Sequence, residues 1–283
     1  MTVAVPGFDS TLLADVCTAL GITDLRPVKH GGQKLAATAL LGADQVMAKV
    51  IQLGAVADPE ALKRAERETE LLGTIAHRNV VSLRSGLAAV GTPTAIVGWL
   101  EEYVEGDDLA ARFGPPWPWS EVKAMAIDVG NGLTALHDSG AVHRDLSPGN
   151  VRRRSADGSW VVLDPGYARH VLRSTITHLG QPGTPGYLSP EHCNPPARPT
   201  WASDVFVLGI LMYQALTGVE PIPWTGNAAD YTRRLLEEQA PSVRLARPDL
   251  TPEQGAVVNR CLQRLLPRRY HRPAALCAAL AAV

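Results

Sequence analysis

The chain has 283 residues, 46% hydrophobic and 19% charged, which is enough apolar material for one large domain or two packed lobes. A formal net charge of −1 excludes the broad basic surface of a nucleic-acid binder or of a protein held on anionic lipid; the one dense basic run, Arg152–Arg153–Arg154, reads as a solvated hairpin face. Four scattered cysteines, Cys17, Cys193, Cys261 and Cys277, lack metal-ligand spacing and read as reduced thiols of a cytoplasmic protein.

In chain order, the start "MTVAVPGFDS" lacks the basic-then-apolar pattern of a secretory leader. Residues 10–20 carry a helical apolar pattern that ends at Gly21, so residues 1–24 read as an N-terminal extension with one helix, either regulatory, dimerising or simply packed. Residues 25–52 read as strands, interrupted at "HGGQK" and by a "GAD" turn at 42–44. Asp58 caps and Pro59 opens a helix whose stripe is Leu62, Ala65, Leu72 and Ile75. Strand-like runs follow at 80–90 and 94–100. After the loop "GPPWPWS", Ser120–Glu121 opens a helix to Ser139, with Val122, Met125, Val129, Leu133 and Leu136 on one face. Two short strands flank Asp157–Gly158, a hairpin pair. Helical patterns occupy 202–217, 228–239, 253–265 and 273–282, and the most apolar run, 205–216, is too short to span a bilayer. The prediction is an α+β chain. Residues 25–103 make a small β-rich lobe with one main helix, and residues 104–283 a larger α-helical lobe, with a ligand site expected in the cleft between lobes.

Short motifs stand along this frame. They are "HGGQK" at 30–34, "QVMAKVI" at 45–51, "ETELLGTIAH" at 68–77, "LEEYVEGDDL" at 100–109 and "HRDLSPGN" at 143–150. "VVLDPG" at 161–166, "GTPGYLSPEH" at 183–192, "SDVFVLGILMYQALTG" at 203–218 and "RRYHRPAAL" at 268–276 complete the series. In this order, over roughly residues 25–282, they resemble the eukaryotic-type (Hanks-type) protein kinases, Ser/Thr branch. Abundant Ala, Arg, Gly and Pro point to a bacterial source.

The resemblance implies a bilobal kinase-like fold and transfer of the γ-phosphoryl group of ATP, with Mg²⁺ or Mn²⁺, to Ser/Thr hydroxyls of protein substrates. Asp145 then matches the aspartate that orients the hydroxyl and takes its proton, while Asn150 and Asp164 offer hard oxygen ligands to the metal. Lys49 matches the lysine that grips the phosphates, held by Glu68, with Glu66 and Glu70 as competitors for that role. Gly31 and Gly32 let backbone N–H groups approach phosphate, and Lys34 puts a cation near the γ-phosphate. Glu102 and Tyr103 line up with the segment that pairs with adenine, and Asp108 accepts from ribose hydroxyls. His143 packs in the loop core, and Arg144 meets a phosphorylated segment for which Ser174, Thr175 and Thr177 are candidate sites. Thr184 supports Asp145, Asp204 holds the backbone of the His-Arg-Asp stretch, and Glu191 pairs with Arg272 in a buried fork. A homodimer would serve trans-autophosphorylation.

Five residues depart from the family's usual pattern. Pro165 replaces the usual Phe, Ser147 the usual Lys, and Lys29 and Lys34 two usual glycines. Glu101 occupies a normally apolar position beside the adenine pocket, where a carboxylate without a partner would be costly. Pro165, Ser147 and the degenerate glycine loop leave a nucleotide-binding pseudokinase scaffold as one alternative, and the aspartate–asparagine loop shared with antibiotic phosphotransferases leaves a small-molecule phosphotransferase as a second. The peptide-docking segment "GTPGYLSPE" argues against the second.

Overall fold

A computed structural model describes residues 5–31, 34–53, 59–165, 184–194 and 199–283. Gly32, Ser174, Thr175 and Thr177 lie outside the described residues. The described chain divides into two units, one running to Ala76 and including Val81–Val104, the other comprising His77–Val80 and the chain from Glu105 onward.

The first unit is built on an antiparallel sheet of β1 (Ile22–Gly31), β2 (Lys34–Leu41), β3 (Asp44–Gln52), β4 (Ala88–Val90) and β5 (Ile96–Glu102), in the order β1-β2-β3-β5-β4. The β2–β3 turn needs Gly42, whose φ is 64°. The strand expected over 80–90 shrinks to Ala88–Val90. The reason is local: Ser85 Oγ accepts the Leu100 N–H at 2.9 Å, and Arg84 and Ser85 both donate to the Leu100 carbonyl, so a side chain stands where a ladder partner would be.

Each face of this sheet carries a helix. Helix α1 (Ser10–Leu20) starts where Asp9 Oδ1 accepts the N–H groups of Thr11 and Leu12, and it stops at Gly21 with φ 67°. Its Leu13, Val16 and Leu20 are buried with Leu35, Ala37, Ala39, Val46, Ala48, Val50, Ile96 and Leu100. Small residues let the helix come close. A Cβ on Gly98 would sit 3.1 Å from Val16 Cγ2 and 3.2 Å from Leu20 Cδ1. The other face buries Ile51, Leu53, Val97 and Trp99 with Ala61 and Ala65 of α2 (Pro59–Thr74). Strand alternation therefore puts Lys49 and Glu101 on the α2 side, in register with Trp99 and Met47 respectively.

The second unit is helical. It contains α3 (Leu109–Arg112), α4 (Trp119–Asp138), the hairpin β6 (Val151–Arg153) and β7 (Trp160–Val162), then α5 (Trp201–Thr217), α6 (Ala228–Glu237), α7 (Val243–Ala246), α8 (Pro252–Cys261) and α9 (Pro273–Ala281). Helices α3 and α7 have four residues each, too few for a 3.6-residue period to register in the sequence. Helix α5 is buried along nearly all its length. A Cβ on its Gly209 would lie 2.6 Å from Cys261 Cβ, so glycine allows α8 to close on it. Among the described residues no helix is long and apolar enough to cross a membrane.

Candidate active site

In the helical unit, residues 143–150 are held from several sides. Asp204, in the first turn of α5, accepts His143 N–H at 2.9 Å and His137 Nε2 at 2.7 Å through Oδ2, and Arg144 N–H at 3.1 Å through Oδ1. Burial pushes the Asp204 acid up, but the His137 hydrogen bond and the nearby imidazoles outweigh it and hold the acid below its usual range. Arg144 has φ 63°, a left-handed conformation that costs a non-glycine residue about 1–2 kcal/mol. The bonds from its N–H to Asp204, and from His192 Nε2–H to its carbonyl at 2.9 Å, offset that strain. His192 Nδ1 accepts the Ser189 N–H at 3.1 Å, which fixes the proton on Nε2. Burial lowers the His192 pKa.

On this scaffold Thr184 Oγ1 donates to Asp145 Oδ1 at 2.9 Å. Asn150 Nδ2 donates to the Asp145 carbonyl at 2.7 Å and lies 3.5 Å from its Oδ2, which turns the amide so that Oδ1 is its acceptor. His143 Nε2 donates to Leu163 O at 3.0 Å, and Leu163 N–H to Asn150 O at 2.9 Å. Val151 pairs with Val162, so Asn150 and Asp164 leave the hairpin at the same end. Asp164 has φ 48°, a second strained non-glycine residue. An amide oxygen and a carboxylate placed this way are the hard donor set that Mg²⁺ takes, so the residues present fit that ion. Ser147, three residues before Asn150, is buried and brings no charge. Asp108 acts as the cap of α3, its Oδ1 accepting Ala111 N–H at 2.9 Å.

The Glu191 fork corrects an expectation. Its partner is Arg269, not Arg272: both terminal nitrogens of Arg269 lie 2.9 Å from the Glu191 oxygens, and Ser203 Oγ donates a third bond at 2.9 Å. Burial raises the Glu191 acid, and the Arg269 hydrogen bonds and charge more than reverse it. Arg272 instead lies 3.9 Å over the Trp201 ring and 3.8 Å from Asp138. "RRYHRP" offers three arginines, and only the turn Leu266–Arg268 decides which faces inward.

In the sheet unit, Lys49 is buried on β3 and Glu68 on α2, whereas Glu66 and Glu70 are exposed. Glu101 is buried as well, and it has partners: Trp99 Nε1 donates to Oε1 at 2.9 Å, and Lys49 Nζ lies 3.8 Å from Oε2. Gly31 ends β1 opposite Lys34, whose ammonium lies 5.9 Å from the Trp99 ring centroid. Glu102 ends β5, its N–H donating to Ser82 O at 2.8 Å and its Oε2 accepting Ser82 Oγ at 3.1 Å; Tyr103 follows.

Residues 32–276 match the family model described as the protein kinase domain. The chain belongs to the protein kinase family. It is 31% identical over 233 residues to the serine/threonine-protein kinase pkn3 of Myxococcus xanthus, covering 77% of this chain and 41% of that protein. It is 31% identical over 228 residues to PkaA of Streptomyces coelicolor, covering 78% and 40%. The chain thus spans about two fifths of the length of these relatives. The kinase domain of Mycobacterium tuberculosis PknI has the same bilobal fold, with a TM-score of 0.70 at 21% identity, covering 99% of each chain. The small sheet unit and larger helical unit are the two lobes of that kinase fold.

Proposed function

We propose that this chain is an ATP-dependent protein serine/threonine kinase of the cytoplasm that also phosphorylates its own activation segment, acting in trans within a homodimer. The observation that carries this reading is the Asp145 carboxylate, which accepts from Thr184 and sits in a loop tied down by Asp204. A fixed carboxylate orients a Ser/Thr hydroxyl and accepts its proton as the oxygen bonds to phosphorus and the bond to ADP breaks. Lys49 offsets phosphate charge, and Glu68 keeps it in place. Asn150 and Asp164 would hold Mg²⁺, with Mn²⁺ as a substitute. Bound Mg²⁺ supplies neutralisation of the phosphate charge that builds during transfer. By the family resemblance, Gly31, Gly32 and Lys34 would serve the phosphates, Glu102 and Tyr103 the base, and Asp108 the ribose. The names of the relatives support Ser/Thr rather than other acceptors.

The test is mass spectrometry of the chain after incubation with ATP and Mg²⁺, beside Asp145→Asn. Phosphate on residues 170–180, which hold Ser174, Thr175 and Thr177, in the wild type alone is the expected result. Ser147 and Pro165 favour a second reading, a nucleotide-binding scaffold without transfer. Nucleotide binding with no phosphate on any protein would establish that reading instead.

A further inference from the structure

Glu101 is a buried acid that no step above uses. Lys49, Glu68 and Glu101 are 6%, 0% and 2% exposed, and the two carboxylates have oxygens within 4.8 Å of each other. The sheet register makes this unavoidable. Lys49 stands opposite Trp99 and Met47 opposite Glu101, so Lys49 and Glu101 are diagonal neighbours on one face. The buried Lys49 ammonium therefore stands 3.8 Å from a carboxylate oxygen of Glu101, and such charges interact strongly where water screens little. Packing alone does not call for the second charge. A glutamine at this position has the same shape, and its carbonyl oxygen would still accept the Trp99 N–H that Glu101 now accepts at 2.9 Å.

We propose that Glu101 is a positioning residue that acts through Lys49: it holds the ammonium on the sheet in competition with incoming phosphate, and so makes the affinity for a nucleoside polyphosphate weaker and charge-dependent. The inference rests on the reading of Lys49 as the lysine that grips phosphate. A carboxylate on the same ammonium both shares its cation and repels phosphate oxygens. The penalty therefore grows with the charge of the ligand and vanishes for a neutral nucleoside.

The experiment is calorimetric titration of the full chain and Glu101→Gln with ATP, ADP and adenosine, in Mg²⁺-containing buffer. Glu101→Gln is expected to bind ATP roughly three- to tenfold more tightly, ADP with a smaller gain and adenosine unchanged. In turnover, KM for ATP falls and kcat does not rise. In the nucleotide-free protein, acylation of Lys49 by an amine-reactive ester, read by mass spectrometry, should quicken several-fold. Glu101→Ala separates packing from charge, because it strands the Trp99 N–H and lowers the melting temperature where glutamine does not. An equal change for adenosine and ATP, no change for either, or unaltered Lys49 acylation overturns the proposal. A wild-type chain that binds neither ATP nor ADP overturns the kinase reading and this inference together, whereas equal ATP affinities of two active proteins overturn this inference alone.

Discussion

Arg269 is fully buried and forks onto Glu191, while the Arg272 side chain is 52% exposed beside Asp138. Truncating a buried, hydrogen-bonded partner strands the other charge, so Arg269→Met should cost about 3–5 kcal/mol in a denaturant titration. Arg272→Met should cost less than about 1 kcal/mol, because water screens that pair. Reversed magnitudes would restore the Glu191–Arg272 pairing that the family resemblance implies. The motif shows that an arginine meets Glu191 but not which one, since the choice is made by a single turn of backbone. At Asp145 the sequence was more informative. Its Thr184 partner stands in a motif of its own, and the 2.9 Å bond joins residues far apart in the chain. Thr184→Val removes that donor at nearly constant volume. Phosphoryl transfer should fall roughly ten- to hundredfold with little loss of stability, and Thr184→Ser should recover most of it. A valine variant with wild-type turnover would remove Thr184 from the chemistry.

At the scale of elements, helix α1 was readable from its period and its Gly21 stop, while its Asp9 cap came from the structure. What it packs against was not, because burial partners more than 15 residues away leave no local pattern, and the small residues that admit it, Ala37, Ala39, Ala48 and Gly98, read as weak strand formers. The same limit explains why the strand expected over 80–90 keeps only Ala88–Val90: Ser85 takes the ladder bond with its side chain. If α1 is a structural layer of the sheet, crowding its seat is as harmful as thinning it. A Cβ at Gly98 meets Val16 and Leu20 at 3.1 and 3.2 Å and also the Lys49 carbonyl at 3.2 Å, so Gly98→Val should destabilise by about 1–3 kcal/mol. Leu13→Ala, at a side chain 1% exposed, should cost about 2–4 kcal/mol. Thermal unfolding of both variants checks this, and two unchanged melting temperatures would show that α1 is not a structural layer of the sheet.

For the whole molecule, the two-lobe α+β plan followed from where strands give way to long helices, and the loop at 143–150 was singled out by its motif. The buried polar framework beneath that loop was legible only in part. Asp204 was visible, but the His137 and His192 bonds that complete it join residues far apart in the chain, 67 and 48 positions from their partners. That framework predicts how the folded state responds to acid. His192 is held neutral by burial, with its pKa below the usual value, so between that value and about 6.5 the unfolded chain binds a proton that the native chain does not. Stability from this residue is therefore present above about pH 6.5 and drains as pH falls, with a slope approaching about 1.4 kcal/mol per pH unit. Asp204 and Glu191 are both depressed, so their contribution is present above the ordinary carboxylate range near 4 and is lost only as pH falls through their folded values. Denaturant midpoints of the wild type should thus decline in two stages, the first below about 6.5 and the second below about 4. His192→Gln should be less stable at pH 8 and should flatten the first stage while leaving the second. A first stage of equal slope in that variant would assign the proton to another histidine and leave Arg144 without the pH-sensitive support described for it.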